Sequence, residues 1–277
     1  MSFQRFNPEN DIVENQRTTI SSGLWTGGSA TLTSFFTQST NGNITGSFLE
    51  LYNEDPNQSS SAEVQFAVGY ANIHGSGSAG NTTKLTTGGR QTAALYRQFR
   101  NVILAPNTDE FTFTSAPSSS DDFYFISFQR ARQREKIDPG NWELTLSGQM
   151  SGKASKIHLI DDSGATTNPT VEEGGRVFNV VSGSIADGVN TTAANQPGGG
   201  LGLFYPDLGI ILLDASQMEA SGGLTANARD ADMFISRSAA FYDSIDSGSS
   251  FQARREEEIS STNYFVRVNN KNFNFSS

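Results

Sequence analysis

The sequence contains no cysteine. Disulfides, thiolate nucleophiles and cysteine-ligated metal are excluded together. A chain without thiols fits assembly in a reducing compartment. Histidine is almost as scarce, with His74 and His158 alone, and a structural zinc site wants four nitrogen or sulfur ligands. Long apolar runs are missing too. Leu208-Gly209-Ile210-Ile211-Leu212-Leu213 is the longest, strand-sized and far short of the ~20 residues of a spanning helix. The opening MSFQRFNPENDIVENQRTT has no apolar core, so no secretory signal is expected. Positive charge is in deficit, with 19 basic against 29 acidic residues and a net charge of -10. That balance lacks the electrostatic footprint of a nucleic-acid binder. Neither nucleic acid nor a membrane is expected as a partner.

Phe, at 20, and Gly, at 27, are abundant, and Ser, Thr and Asn fill much of the rest. Aromatic and β-branched residues between turn formers describe many short strands. At 277 residues the chain can bury a sizeable core without a staple. The expected fold is mainly β, with sandwich- or barrel-like antiparallel sheets and one or two short helices.

Residues 1–22 show no period and read as an N-terminal arm carrying Phe3 and Phe6. Residues 23–268 read as a β-rich body, with possible seams at 115–120 and 186–200. Within it, Val64, Phe66 and Val68 alternate with polar or small neighbours, the period of a half-buried strand. Thr92 to Asn101 repeats Ala94, Leu95, Gln98 and Phe99 at helical spacing. Phe123 to Phe128 is so aromatic that both faces of a strand would be covered. Asp138-Pro139-Gly140-Asn141 predicts a turn, because Pro presets φ and Gly supplies positive φ. Trp142, Leu144 and Leu146 then alternate cleanly. Leu201 to Leu213 splits into two apolar runs at Pro206-Asp207. Residues 252–268 predict a long strand or strand pair, and 269–277 a C-terminal arm with Phe273 and Phe275.

Catalytic patterns are thin. His74 lies in a Gly/Ser loop and His158 inside a strand, and neither has a neighbour in sequence to orient it. Asp161-Asp162-Ser163-Gly164 resembles half of a calcium loop, but the spaced oxygens and closing Glu are missing, and an Asx turn suffices. Gly198-Gly199-Gly200-Leu201-Gly202 lacks the Lys-Ser/Thr of a phosphate loop. No catalytic residue, metal ligand or cofactor is therefore expected.

Two constellations remain. Arg97, Arg100, Arg130, Arg132, Arg134 and Lys136 gather much of the positive charge. They read either as a solvated rim with local ion pairs, each worth little, or as a contact patch for an acidic neighbour, since Arg is enriched at interface hot spots. The second is the C-terminal segment, where Tyr264 and Phe265 precede Phe273 and Phe275. Chain ends are usually polar and loose. This one carries anchors at strand spacing, as a segment that completes a sheet edge would.

The phrases "ISSGLWTGG", "FYFISFQRARQREKIDPGNWELTLSG", "RVFNVVSGSIADG", "GLFYPDLGIILLDA" and "SSFQARREEEISSTNYFVRVNNKNFNFSS" resemble virion structural proteins of T4-like contractile-tailed phages, particularly those infecting cyanobacteria. The resemblance implies a particle component assembled in a host cytoplasm, with other virion proteins as partners in a homo- or hetero-oligomeric assembly. Tail or baseplate is the location that two adhesive ends suit best. Head or neck roles, a receptor- or carbohydrate-binding module of the tail, and a cell-wall hydrolase are the alternatives.

Overall fold

The computed structural model describes residues 12–38, 48–75, 91–113, 120–147, 156–165, 170–189, 200–220 and 237–264. Phe3, Phe6, Phe265, Phe273 and Phe275 lie outside them, as does the whole segment 269–277.

One 13-stranded sheet organises the chain. In chain order its strands are β1 (Ile12–Gly23), β2 (Thr31–Leu32), β3 (Phe48–Tyr52), β4 (Val64–Asn72), β5 (Asp122–Phe128), β6 (Lys136–Leu146), β7 (Ile157–Asp161), β8 (Thr170–Glu172), β9 (Gly175–Ser184), β10 (Gly188–Val189), β11 (Gly202–Tyr205), β12 (Ile210–Asp214) and β13 (Ser250–Tyr264). Among the described residues four α-helices accompany them, where the sequence pattern marks one or two: α1 (Gln91–Ile103), α2 (Arg130–Gln133), α3 (Ala215–Ala220) and α4 (Arg237–Gly248). The main path runs β1-β13-β6-β7-β9-β11-β12-β5-β4-β3, and its pairings are antiparallel. Strands on both sides of 115–120 and of 186–200 pair directly, β4 with β5 and β9 with β11. The sheet is continuous across both expected seams.

The sheet curls on itself. Leu32 pairs with Phe251 of β13, and Phe36 bridges to Tyr52 of β3. Residues 31–36 thus link the two ends of the curl. The enclosed space holds Trp25, Phe66, Phe128 and Phe251, with centroids 5.0–6.3 Å apart. Trp25 Nε1 donates to the Phe251 carbonyl at 2.9 Å, so its one polar atom is satisfied inside an apolar cluster. Met218 of α3 and Phe241 and Ile245 of α4 join the same core. A second cluster lies under α1, with Tyr96 and Ile103 against Phe111, Phe123 and Phe125.

Several local expectations change on folding. The alternation in Val64–Val68 marks a strand, yet β4 is covered on both faces: Gln65 is fully buried and receives the Thr26 N–H at 3.0 Å. Helix α1 forms as its period predicts, but buries Thr92, Ala93, Tyr96 and Ile103 while Ala94 and Gln98 stay exposed. Asp138-Pro139-Gly140-Asn141 does not reverse the chain. Its Gly140 has φ of 78°, as expected, but the four residues swell out of β6 as a bulge. Trp142 pairs with Ala253 and Ile137 with Arg255, leaving them opposite a single β13 residue. The Asp161 carboxylate accepts the Gly140 N–H at 2.8 Å and so fixes the bulge from the far side. The largest correction concerns the N-terminal arm. From Ile12 onward it is strand β1, paired with β13 from Tyr264 back to Arg254.

Candidate interaction surface

β13 is long because it pairs with two strands of the sheet, β6 along its first half and β1 along the rest. Ser250 to Glu256 pairs with β6 inside the curled sheet. Beyond Glu256 the strand leaves β6 behind and continues to Tyr264 with β1 as its companion. Gln16 to Ser21 and Glu258 to Asn263 are exposed throughout. β1 and the outer half of β13 therefore form one projecting two-stranded ribbon. Cross-strand pairs show which residues share a face. Gln16, Thr18, Ile20 and Ser22 line one face with Ser261, Ile259, Glu257 and Arg255. Arg17, Thr19 and Ser21 line the other with Ser260, Glu258 and Glu256. Ile20 and Ile259 are diagonal neighbours on the first face, and both stay large and open, at 44% and 48% exposure.

The ribbon is anchored at its root by charge. Arg134 reaches Glu257 at 3.0 Å, and Arg255 meets the same carboxylate at 3.0 Å. Lys136 pairs with Glu256 at 3.1 Å, and Arg17 with Glu258 at 3.1 Å. Arg255 Nε also donates to Ser22 Oγ at 3.0 Å, and the Glu258 N–H to Glu135 at 2.7 Å. Arg132 instead turns to Glu63 and Thr26. The acidic run Glu256-Glu257-Glu258 is thus the counterpart of the α2–β6 basic run. Chain contacts 123 residues apart in sequence made it invisible to local reading.

The expected basic constellation is divided accordingly. Arg132, Arg134 and Lys136 are engaged by the chain's own carboxylates, which matches the local ion-pair alternative at those positions. Arg100, on α1, reaches Asp109 at 2.5 Å and the carbonyls of Pro106 and Thr108. Arg97 and Arg130 are exposed on α1 and α2. Tyr264 ends β13 at the ribbon tip, in register with Ile12.

Three further polar clusters bear on chemistry. The hairpin of β6 and β7 puts Glu143 Oε1 2.7 Å from His158 Nδ1, with Thr145 Oγ1 at 3.2 Å. Glu143 Oε2 accepts the Ile185 N–H at 2.9 Å, which holds the carboxylate in place. Sequence reading left His158 without an orienting partner. The partner comes from the adjacent strand, and aligning Trp142–Leu146 against Ile157–Asp161 as a hairpin would have found it. His74, in contrast, is exposed 3.5 Å from Asp121. Asp161 and Asp162 spend their oxygens on N–H donors of Gly140, Ser163 and Asn179, which is turn chemistry. Burial pushes the Asp161 carboxyl above its ordinary range despite those donors. Among the described residues no group of three or more His, Asp or Glu is arranged to hold a metal ion.

A cavity of about 630 Å³ opens where α1 ends beside β8 and β11. Ile103, Phe111 and Leu203 supply an apolar floor, and Glu110 and Glu172 an acidic wall. Tyr205 is fully buried and donates to Glu172 at 2.9 Å. Its burial, then the neighbouring charge, drives the phenol far above its usual range.

Comparisons with protein-family models, with curated proteins and with solved structures found no match to this chain.

Proposed function

We propose that the chain is a structural component of a contractile-tailed phage particle, placed in the tail or baseplate and working through subunit contacts rather than turnover. The observation that carries this reading is the projecting ribbon. A two-stranded ribbon in open water is marginal by itself. Here Arg134 and Lys136 hold β13 at the ribbon root through Glu257 and Glu256, Arg17 ties β1 to Glu258, and both strands are exposed beyond the root. An extension of that kind gains its stability when a neighbour covers it. The rest of the molecule is a filled scaffold suited to carrying it: the curl of the sheet is packed with aromatic side chains. The phrase resemblance supplies the setting, and other virion proteins are the partners it implies. Assembly would take place in the host cytoplasm.

The test is incorporation. Particles assembled with a chain lacking residues 269–277, or with the ribbon root unpaired by Glu257→Lys and Glu258→Lys, are purified and their subunit stoichiometry measured. Reduced incorporation of a chain that still folds supports the reading. Normal stoichiometry for both variants contradicts it.

A further inference from the structure

The outer edge of β1 is unpaired among the described residues, since β1 ends the strand order and meets only β13. The direction of its groups follows from one bond. The Leu24 N–H donates to the Ala253 carbonyl on β13. Main-chain groups alternate sides along a strand. Those of Ser22, Ile20 and Thr18 therefore face β13, and those of Ser21, Thr19 and Arg17 face outward. Glu258 agrees, because its N–H points to the opposite side of β13, at Glu135. Natural edges are usually blunted by proline, inward charge or bulges. Between Asn15 and Gly23 this edge has no proline, no bulge and one charge, and that charge, Arg17, is matched by Glu258.

We infer that this edge pairs with the same edge of a second copy, β1 against β1, antiparallel about a two-fold axis at Thr19. Charge and hydrogen bonding together select a second copy and this strand. With a net charge of -10, two copies repel except where the surface is locally neutral. The β1 edge is such a place, its one charge matched by Glu258. The open edge of β13 is already engaged at its root, where Glu135 accepts the Glu258 N–H. Register follows from the same logic. Centring on Arg17 would set Arg17 against itself. Centring on Thr19 sets Arg17 opposite Ser21, and Thr19 opposite Thr19. Outward groups then meet outward groups, with about six main-chain hydrogen bonds from residues 17, 19 and 21. Thr18 of one copy comes opposite Ile20 of the other. The exposed Ile20 and Ile259 of both copies become neighbours on one face of a four-stranded sheet, β13-β1-β1-β13. The contact is isologous and closes on itself. It rests on reading the ribbon as a contact element and names its partner, but does not require a phage particle.

Sedimentation equilibrium of the purified full chain over about 1 to 100 μM tests it. A concentration-dependent dimer is expected. Thr19→Pro removes an outward donor without touching the β13 ladder, and should weaken the dimer at least about tenfold with unchanged thermal unfolding. Ile20→Lys gives a second reading should the proline disturb the ribbon. Within its own ribbon the new ammonium lies opposite Glu257, whereas in the dimer it meets its own copy, so association should again weaken at least about tenfold. A monomer across the range overturns the inference, as does a dimer indifferent to both variants. A monomeric chain whose incorporation into particles still needs the ribbon would overturn the dimer and leave the proposed function standing.

Discussion

At the scale of single residues, the fold depends on a few polar side chains that support unusual backbone. Gly140 sits at positive φ, and a Cβ there would lie 3.0 Å from Ser163 Oγ. Gly140→Ala should cost about 1–2 kcal/mol from the left-handed backbone alone. Asp161→Ala goes further, stranding the N–H groups of Gly140 and Ser163 at a cost of about 1–3 kcal/mol. Urea denaturation of the two variants checks both values. The pair Arg176 and Asp207 gives a pH signature. Hydrogen bonds from Arg176 hold the Asp207 carboxyl below its ordinary range. A depressed folded-state pKa contributes stability above the unfolded value, near 4, and that contribution is lost as pH falls through the folded one. Buried Asp161 is raised, so its contribution has the opposite sign: present at low pH and lost as pH rises through its folded value. Arg176→Gln should therefore destabilise the protein near neutrality and converge with the parent below the carboxylate range. Parallel thermal melts at neutral and acid pH measure this. A constant gap between the two would show that the pair does not titrate as described.

At the scale of elements, periodicity located most strands and helix α1, and long-range contact decided what they became. β5 was legible as doubly covered because four aromatic and aliphatic residues, Phe123 to Ile126, stand in succession, with Phe128 just beyond Ser127. The face of α1 was not legible. Tyr96 is buried because Ser120 and Phe111, distant in sequence, complete its hydroxyl: it donates to the Ser120 carbonyl and accepts the Phe111 N–H. Tyr96→Phe should leave both partners unmatched and cost about 1–3 kcal/mol by chemical denaturation. The turn residues at 138–141 were read correctly for conformation and incorrectly for outcome, since nothing local reveals Asp161 waiting on β7. In the same way the His158–Glu143 pair belongs to a hairpin register, not to either strand. The ribbon root makes a different prediction. Glu257 is 27% exposed and bonded to two arginines, so Glu257→Gln should lower stability by about 1–3 kcal/mol, and by less in high salt. Residues 17–21 and 257–263 should show faster amide hydrogen exchange than β5 or β12 in the isolated chain.

At the scale of the whole molecule, composition alone pointed to an antiparallel β fold, and the curled sheet has that character. Its closure was beyond reach, because it depends on a short pairing of Leu32 with Phe251 and one bridge from Phe36 to Tyr52. The pairing of β1 with β13 across nearly the full chain was not legible, since neither strand signals the other locally. It joins the first and last described strands into one device. If the ribbon is where the molecule meets its neighbours, a density map of purified contractile-tailed particles containing the chain will show it. Repeated copies are expected in the tail or baseplate, with residues 15–22 and 257–263 buried against an adjacent subunit. Particles without the chain, or copies whose ribbons stand free in solvent, would contradict it.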